Sequence, residues 1–354
     1  MRTIFWEDDA ACIIDQTLIP AELKVARLHT VKEIGDAIYA LKVRGGPAIG
    51  IAGAFGVVTS IKNTPVKTVD EVLKSLETDC PYLIHVRPTA TNLSWAVNRL
   101  WNLVKQNTHL SYEELYELAL STAKRMADQE VEAAKRMSEY GASVIPDTGA
   151  NISTHCSTGP LCTVDYGINM GAVYTAMKQG KPVHVYTDET RPRLQGAKIN
   201  AFDLDRMGVP YTLIPDNHAA YLMQKGMVDM VFVGADRVAA NGDAAAKVGV
   251  YSLSIAAKEH GLPVYLFSPM ATIDYSIESG SEIVIEERDP DEVRKVNGSL
   301  ITLADAPVIN YAFDMTPSSY FAGIITEMGI AYPPYKDSLK ELKKAYDLEM
   351  GNNE

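Results

Sequence analysis

The fold is decided by the stretch MVFVGADRVAANGDAAAK, which occupies residues 230–247. It opens with an apolar run that is typical of a buried parallel strand, and then breaks into small and polar residues. Two earlier segments share this layout: NISTHCSTG at residues 151–159 and VHVYTDETRPRLQ at residues 183–195. In an open α/β sheet, ligands bind outside the carboxyl ends of the strands. We therefore expect the three polar turns to converge on one crevice, which favours an enzyme acting on a small anionic molecule.

Apolar runs of strand length recur from residue 151 onward and alternate with helical patterns. They predict strands over residues 151–155, 183–187, 211–214, 229–234, 263–267 and 283–285. A helix is predicted over Ala244–His260, with the turn Asn241-Gly242-Asp243 as its N-cap. This alternation indicates an α/β fold in which helices flank a parallel sheet.

The preceding part of the chain reads differently, as two short strands followed by helices. The strands are Thr3–Trp6 and Ala11–Asp15, and the helices are Val31–Lys42, Val69–Leu83, Ala90–Val104 and Tyr112–Tyr140. Ser111 and Glu114 form a capping box for the last helix, and Gly141 is expected to end it. Because residues 141–150 have turn composition, we predict two domains: 1–145, mostly helical with short strands, and 146–354.

Charge and composition exclude several classes of partner. The chain has 354 residues and a formal net charge of −12, which argues against a nucleic-acid partner. Its longest apolar stretch, Pro47–Ser60, is shorter than the roughly 20 residues that cross a bilayer, so we expect no membrane partner. The opening MRTIFWEDDA shows no secretory signal, and the four cysteines show no C-x-x-C spacing. A reduced cytoplasmic setting is the natural expectation.

Cys156 follows the first strand of the predicted sheet and precedes Ser157-Thr158-Gly159. A cysteine beside backbone amides at a strand-to-helix turn is suited to act as a base or a nucleophile. The alternative is an inert core residue, which is the more common role of a free cysteine. Neighbouring His155 carries a metal-binding side chain, but no second ligand stands at useful spacing. We therefore expect no metal site.

Asp236 and Lys247 both belong to the 230–247 stretch. A carboxylate at the mouth of an apolar crevice has its pKa raised by desolvation, as a general acid requires, so we expect Asp236 to be catalytic. The alternative is a helix cap or a pair with Arg237. Lys247 falls in the first turn of the predicted helix, where its charge opposes the helix dipole. A bound anion would offset that repulsion, which favours a binding role for Lys247.

Two motifs in the first part of the chain have an anion-binding composition. Arg44-Gly45-Gly46-Pro47 precedes a helix of small residues, so that backbone N–H groups and the helix N-terminus are available to an anion. The alternative is a helix–turn–helix packed closely along Gly50, Gly53 and Gly56. Arg87 stands before a predicted helix, with Pro88 suited to its first turn, and either binds a phosphate or is simply solvated. Gln195 either hydrogen-bonds a sugar hydroxyl or lies on the surface.

Taken together, these segments resemble the methylthioribose-1-phosphate isomerase family. That family is related to the α, β and δ regulatory subunits of the translation-initiation guanine-nucleotide exchange factor. The resemblance runs nearly end to end, through the motifs W-x(8)-D-Q (from Trp6), VRGGPAIG, RPTATNL, THCSTG, ETRPRLQGA, VGADRVAANGD and FDMTP. The long motifs occur in the expected order, which makes their combination specific.

The resemblance implies an aldose–ketose isomerase of methionine salvage, which converts 5-methylthioribose 1-phosphate to 5-methylthioribulose 1-phosphate. It implies a Rossmann-like C-terminal domain, a smaller and mostly helical N-terminal domain, a homodimer and no cofactor. Catalysis is implied for Cys156 and Asp236. Substrate contacts fall on Arg44, Gly45, Gly46, Arg87, Gln195, Ala246 and Lys247.

Three positions depart from the family pattern, which has Arg-Gly-Ala at 44–46 and asparagine at Ser157 and Ala246. Losing the amide at Ala246 leaves two related substrates open, 5-deoxyribose 1-phosphate and ribose 1,5-bisphosphate. A noncatalytic subunit that senses nucleotides or sugar phosphates is the alternative from another class. A nicotinamide-dependent dehydrogenase is set aside, because no strand end in the second half carries G-x-G-x-x-G.

Overall fold

A computed structural model describes residues 1–87 and 90–351. The chain divides into two compact units. The first is Met1–Ala134 with Pro160–Gly167, and the second is Lys135–Gly159 with Ile168–Glu354. The two domains predicted as 1–145 and 146–354 stay a prediction.

The first unit combines a small antiparallel sheet with five helices. The sheet consists of β1 (Ile4–Glu7), β2 (Ala10–Ile14) and β3 (Val25–Leu28), in the order β1-β2-β3. The helices are α1 (Val31–Tyr39), α2 (Gly46–Asn63), α3 (Val69–Val86), α4 (Thr91–Gln106) and α5 (Tyr112–Ser143), the last of which continues into the second unit. Helix α2 is buried on every side from Pro47 to Ile61. Its side chains there are apolar or absent except for Thr59 and Ser60, whose hydroxyls donate to Phe55 O and Asp79 Oδ2.

Close packing explains the glycines of α2. A Cβ at Gly53 would lie 2.5 Å from Leu93 Cδ1, and one at Gly56 would lie 2.7 Å from Leu83 Cδ1. The close-packing interpretation of this glycine pattern is therefore confirmed.

All four predicted helices are present, but their ends differ from the prediction by one to three residues. Helix α1 ends at Tyr39, short of the predicted Lys42. The capping box of α5 is confirmed: Ser111 N donates to Glu114 Oε2 at 2.9 Å, and Glu114 N donates to Ser111 Oγ at 3.3 Å. The predicted end at Gly141 is wrong, since the helix continues to Ser143. A Cβ at Gly141 would lie 2.5 Å from Ala172 Cβ, so this glycine permits packing and does not terminate the helix.

The second unit has a central sheet of seven strands. Its strands along the chain are β4 (Ala150–Thr154), β5 (Val183–Asp188), β6 (Tyr211–Ile214), β7 (Met230–Gly234), β8 (Arg237–Ala239), β9 (Ala244–Lys247), β10 (Val264–Phe267), β11 (Ile273–Asp274), β12 (Lys295–Val296), β13 (Ser299–Leu300), β14 (Phe313–Thr316), β15 (Gly323–Thr326) and β16 (Gly329–Ala331). The central order is β16-β15-β10-β7-β4-β5-β6, parallel except for β16, which pairs antiparallel with β15 at one edge. A second sheet has the order β11-β8-β9-β14, and β12 pairs with β13.

The helices of this unit connect the strands. They are α6 (Asn169–Lys178), α7 (Ala201–Met207), α8 (His218–Gln224), α9 (Val250–Glu259), α10 (Asp291–Arg294) and α11 (Tyr335–Gly351), and a π-helical turn, Gly196–Asn200, precedes α7. The fold is thus a mixed α/β fold with a largely parallel sheet, in agreement with the predicted class. In the part of the chain that the structure describes, no helix combines the length and apolar character of a membrane span.

Five of the six strands predicted for this sheet are confirmed within one or two residues at each end. The strand predicted at 283–285 is wrong: this segment follows a 3₁₀ turn and forms no strand, and Val284 is 85% exposed. The helix predicted over Ala244–His260 is also wrong at its start. Residues 244–247 form strand β9, and the helix begins at Val250.

The physical reason for β9 is a hairpin. Asn241-Gly242 turns the chain so that β8 and β9 pair antiparallel, with Val238 opposite Ala244. Ala239 N donates to Asp243 O at 2.8 Å, and Gly242 N donates back to Ala239 O at 2.9 Å. Alanine favours helices in isolation, but the strand pairing overrides this weak preference.

Candidate active site

Three loops leave the same edge of the central sheet. Strand β4 lies between β5 and β7, and Thr154 is in register with Thr187 on one side and with Phe232 on the other. Neighbouring strands are about 4.8 Å apart, and these three are parallel. The loops that carry Cys156, the ETRPRLQ motif and Asp236 therefore begin side by side at the carboxyl edge of the sheet.

Cys156 is partly buried and is held in an unusual backbone conformation. Its φ is 73°, a left-handed value that is uncommon for a residue with a side chain. Its N–H donates to Thr190 Oγ1 at 2.9 Å, and Gln195 Nε2 donates to its Sγ at 3.6 Å. The structure thus brings together Cys156 and Gln195, which are both predicted site residues.

Gln195 is 2% exposed, so the sequence-based alternative of a surface glutamine is wrong. Its Oε1 is buried and has no hydrogen-bond partner in the described part of the protein. Buried polar atoms are nearly always paired, so an unpaired amide oxygen next to the Cys156 sulfur points to a ligand group.

The loop that carries Gln195 is strained and firmly anchored. Thr190 and Leu194 have φ values of 60° and 59°, and a β-branched residue such as threonine rarely adopts this region. The Asp216 carboxylate accepts the N–H of Thr190 at 2.6 Å and that of Arg191 at 2.7 Å. Strain of this kind persists only where the surrounding structure imposes it, and it concentrates at functional sites.

The two arginines of this loop contact the segment around α10. Arg191 Nη2 donates to Val293 O at 3.0 Å, and Arg193 Nη1 lies 2.6 Å from Glu292 Oε1. Arg288 Nη2 binds the same Glu292 oxygen at 2.8 Å. Burial alone would raise the pKa of Glu292, but its bonds to Arg288 and Arg193 lower it to about 2. Both arginines therefore fix the loop.

His155 forms contacts that its position in the sequence does not predict. Its Nδ1 lies 2.7 Å from Asp188 Oδ2, and its Nε2 lies 2.9 Å from Val248 O. His155, Asp188 and Asp216 bring their ligand atoms within 4.8 Å of one another. The fold thus supplies the neighbours that spacing along the chain did not show. A direct hydrogen bond joins the ring to Asp188, and the expected absence of a metal site stays a prediction.

Asp236 lies two residues beyond β7, and its N–H donates to Ala245 O at 2.9 Å. Its side chain is exposed, so the predicted desolvation of this carboxyl is wrong for the structure. It does not cap a helix, because β8 begins at the next residue. Arg237 pairs with Asp274.

Lys247 is the last residue of β9, so its predicted place in the first turn of a helix is wrong. The argument from the helix dipole does not apply to it. Its Nζ donates to Ala312 O at 2.8 Å and lies 4.5 Å from the centre of the Phe313 ring. Ala246, the preceding residue, is fully buried and is paired with Asp314 of β14.

The remaining predicted residues belong to the first unit. Arg44 is partly buried, and Gly45 is the N-cap of α2 with a φ of 88°. A Cβ at Gly45 would lie 1.8 Å from Cys162 O, so only glycine fits there. Gly46 is the first residue of α2. Arg87 is the C-cap of α3 and stands three residues before Ala90, the N-cap of α4, so its predicted place before a helix is confirmed. Pro88 lies outside the described residues.

Comparisons with known proteins bear on this arrangement. A model of the Initiation factor 2 subunit family matches residues 42–333. A methylthioribose-1-phosphate isomerase from Carboxydothermus hydrogenoformans is 45% identical over 350 residues, which cover 97% of this chain and 99% of that protein.

Two solved structures are also similar. The 5-methylthioribose 1-phosphate isomerase from Pyrococcus horikoshii OT3 has a TM-score of 0.92 and 42% identity, covering 97% of this chain and 96% of that one. A structure described as the translation initiation factor eIF-2B, subunit delta, from A. fulgidus has a TM-score of 0.87 and 39% identity, covering 97% and 99%. The identity to the isomerases is 42–45% over nearly the full length of this chain. These matches show that the chain belongs to the methylthioribose-1-phosphate isomerase family, within the Initiation factor 2 subunit family.

Proposed function

We propose that the protein converts 5-methylthioribose 1-phosphate to 5-methylthioribulose 1-phosphate, a step of methionine salvage. It is an aldose–ketose isomerase, as its relatives are named. The observation that carries this proposal is the pairing of a strained, partly buried Cys156 with the unpaired amide oxygen of Gln195. That pair offers a sulfur and a hydrogen-bonding group to one substrate at the sheet edge.

The chemistry assigns distinct roles to Cys156 and Asp236. The phosphate on C1 prevents ordinary ring opening, so the ring oxygen must take a proton as its bond to C1 breaks. Asp236 supplies this proton, which stays on the former ring oxygen, and it regains a proton from the C2 hydroxyl as C2 becomes the ketone carbon. The hydrogen on C2 moves to C1, either through abstraction by the Cys156 thiolate and an enediol, or by a direct shift that Cys156 stabilises. No external oxidant or reductant is needed, since C1 gains the hydrogen that C2 loses.

Substrate binding is assigned to charged and amide groups. Lys247, Arg44 and Arg87, together with the amides of Gly45 and Gly46, neutralise the phosphate. Gln195 binds a sugar hydroxyl through its buried oxygen. Residue 246 is alanine and therefore provides no side-chain amide. The second candidate is a substrate with a substituent other than methylthio at C5, either 5-deoxyribose 1-phosphate or ribose 1,5-bisphosphate.

We propose further features for the whole molecule. The second part of the chain forms a Rossmann-like domain, the first part forms a smaller, mostly helical domain, and two chains form a homodimer. A cytoplasmic location is supported by the four cysteines, all of which are unpaired.

The test is turnover monitored by NMR with three substrates side by side: methylthioribose 1-phosphate, deoxyribose 1-phosphate and ribose 1,5-bisphosphate. We expect the methylthio compound to be consumed with the highest kcat/KM and the C2 proton signal to change as the ketose forms. Faster turnover of either of the other two compounds would change the assignment of the substituent at C5 of the substrate. Binding of all three without conversion would favour a noncatalytic sensor, the role suggested by the kinship with an initiation-factor subunit.

A further inference from the structure

His155 occupies the position between the end of β4 and Cys156, and its ring is 1% exposed. Its two nitrogens both face acceptors, the Asp188 carboxylate at 2.7 Å and the Val248 carbonyl at 2.9 Å. A carbonyl oxygen and an ionised carboxylate accept hydrogen bonds and cannot donate them. A neutral imidazole has one N–H, so beside an ionised Asp188 both contacts are satisfied together only when the ring is an imidazolium.

The ionisation of the pair agrees with this geometry. Burial alone would lower the pKa of His155, but the hydrogen bond and charge of Asp188 raise it to about 9. Burial raises the pKa of Asp188 to about 6, although its bond to His155 acts in the opposite direction. The carboxylate of Asp188 thus favours a protonated ring, and the protonated ring favours an ionised carboxylate.

Acidic groups surround the ring on several elements. Asp188 ends β5, Asp216 follows β6, and Asp314 lies on β14, where it accepts from Gly249 N at 2.6 Å. The Cys156 side chain, Glu189 and Lys247 are further ionisable groups that interact with this cluster. The imidazolium thus balances the buried carboxylate of Asp188 and the partly buried ones of Asp216 and Asp314, which would otherwise repel one another.

Gly249 holds the ring from the side of the β9–α9 connection. Its φ is 112°, and a Cβ there would lie 2.7 Å from His155 Cε1 and Nε2. Backbone therefore packs directly on the imidazole, which prevents the ring from turning away from Val248. His155 links three segments: the loop with Cys156, the end of β5 that leads to Gln195, and the residue after Lys247.

We propose that His155 is a positioning residue, a buried imidazolium that locks the Cys156 loop to the β5 and β9 strand ends. It acts through its neighbours and does not touch the substrate. The inference rests on the proposed function only where turnover is the measurement.

The first experiment does not depend on turnover. Protein labelled with ¹⁵N-histidine is studied by NMR at pH 7, and the His155 ring is assigned by comparison with His155→Asn. We expect protons on both ring nitrogens, with slow exchange. A ring with one proton at pH 7 would overturn the proposal, whatever the enzyme's activity.

The second experiment separates positioning from stability. His155→Asn keeps a donor towards Asp188 but loses the charge and the bond to Val248, so kcat should fall about 10²-fold, the effect of a small misplacement of a reacting group. KM should change little. The matched control is His184→Asn on β5, whose ring contacts Thr212 Oγ1 at 2.9 Å, and it should retain wild-type kcat.

Asp188→Asn provides a second route to the same conclusion. Because both side chains act as one unit, the double variant with His155→Asn should lose little more kcat than either single variant. A folded His155→Asn protein with wild-type kcat would contradict the proposal, as would additive losses. If these variants do not fold, the His155 ring is assigned in the unaltered protein from its through-space NMR contacts with Gly249, which packs on it, and the same measurement decides the matter.

Discussion

Cys156 and Asp236 leave adjacent strands at the same sheet edge, yet their surroundings differ. The Cys156 loop is tied by Thr190, His155 and Gln195, whereas the Asp236 side chain is exposed. The fold therefore fixes the sulfur in advance and leaves the carboxyl open to solvent. In the proposed mechanism, substrate binding and not burial in the protein must therefore adapt Asp236 to donate a proton.

The largest expected effects concern these two residues themselves. Cys156→Ser and Asp236→Asn should each lower kcat by at least about 10²-fold, the usual contribution of general acid–base catalysis. Steady-state kinetics with methylthioribose 1-phosphate measures this loss, and circular dichroism verifies the fold. Near-normal turnover in either folded variant would refute the assigned role.

The charge of His155 should make the Cys156 side of the site sensitive to pH. Its folded pKa of about 9 lies above the ordinary value of 6.5, so its stabilising effect is complete below pH 6.5 and is lost as the pH rises to 9. Thermal unfolding across this range should show the wild type losing up to about 3 kcal/mol more stability than His155→Asn. Parallel curves for the two proteins would contradict the prediction.

A Cβ at Gly249 should disturb the same region. Gly249→Ala combines an unfavourable backbone angle with a clash against His155, so it should cost more than the roughly 1–2 kcal/mol of a left-handed residue alone. Gly208→Ala is the matched control, because Gly208 also has a positive φ, of 67°, but has open space around it. Urea unfolding compares the two. Equal losses would mean that the contact with the ring has no energetic weight.

The smallest effects concern the ion pairs outside the immediate site. Glu292→Gln weakens the bonds to Arg193 and Arg288 and should cost about 1–2 kcal/mol. Glu278→Gln, in an exposed pair with Lys336, should leave the unfolding temperature unchanged. Differential scanning calorimetry distinguishes them. An equal response would show that the Glu292 anchor adds nothing to the loop.

The central sheet was predictable because its strands are continuous apolar runs, as in Met230–Val233. Strand β9 was misread because its alanines resemble a helix, although Asn241-Gly242 is a hairpin signal that could have identified it. Lys247 was selected by a helix argument that the structure contradicts.

The contacts of His155 could not be predicted from the sequence. Asp188, Asp216 and Val248 are remote in the chain. The parallel pairing of β4, β5 and β6 brings the two aspartates to the ring, and Val248 comes from the second sheet, just after β9. The exposure of Asp236 could not be predicted from the sequence either, because it depends on how β8 and β9 fold back and not on its neighbours in the sequence.

Helix α2 has no side that faces water from Pro47 to Ile61. Such a segment cannot persist in solution as an independent helix, because it has no polar face for water and its glycines disfavour the helical state. The helix packs most extensively against α4, which follows it in the chain and is synthesised later. In a nascent chain, this apolar segment must therefore be kept from other apolar surfaces until residues up to Gln106 have left the ribosome. The order of synthesis thus determines the order in which the first unit assembles.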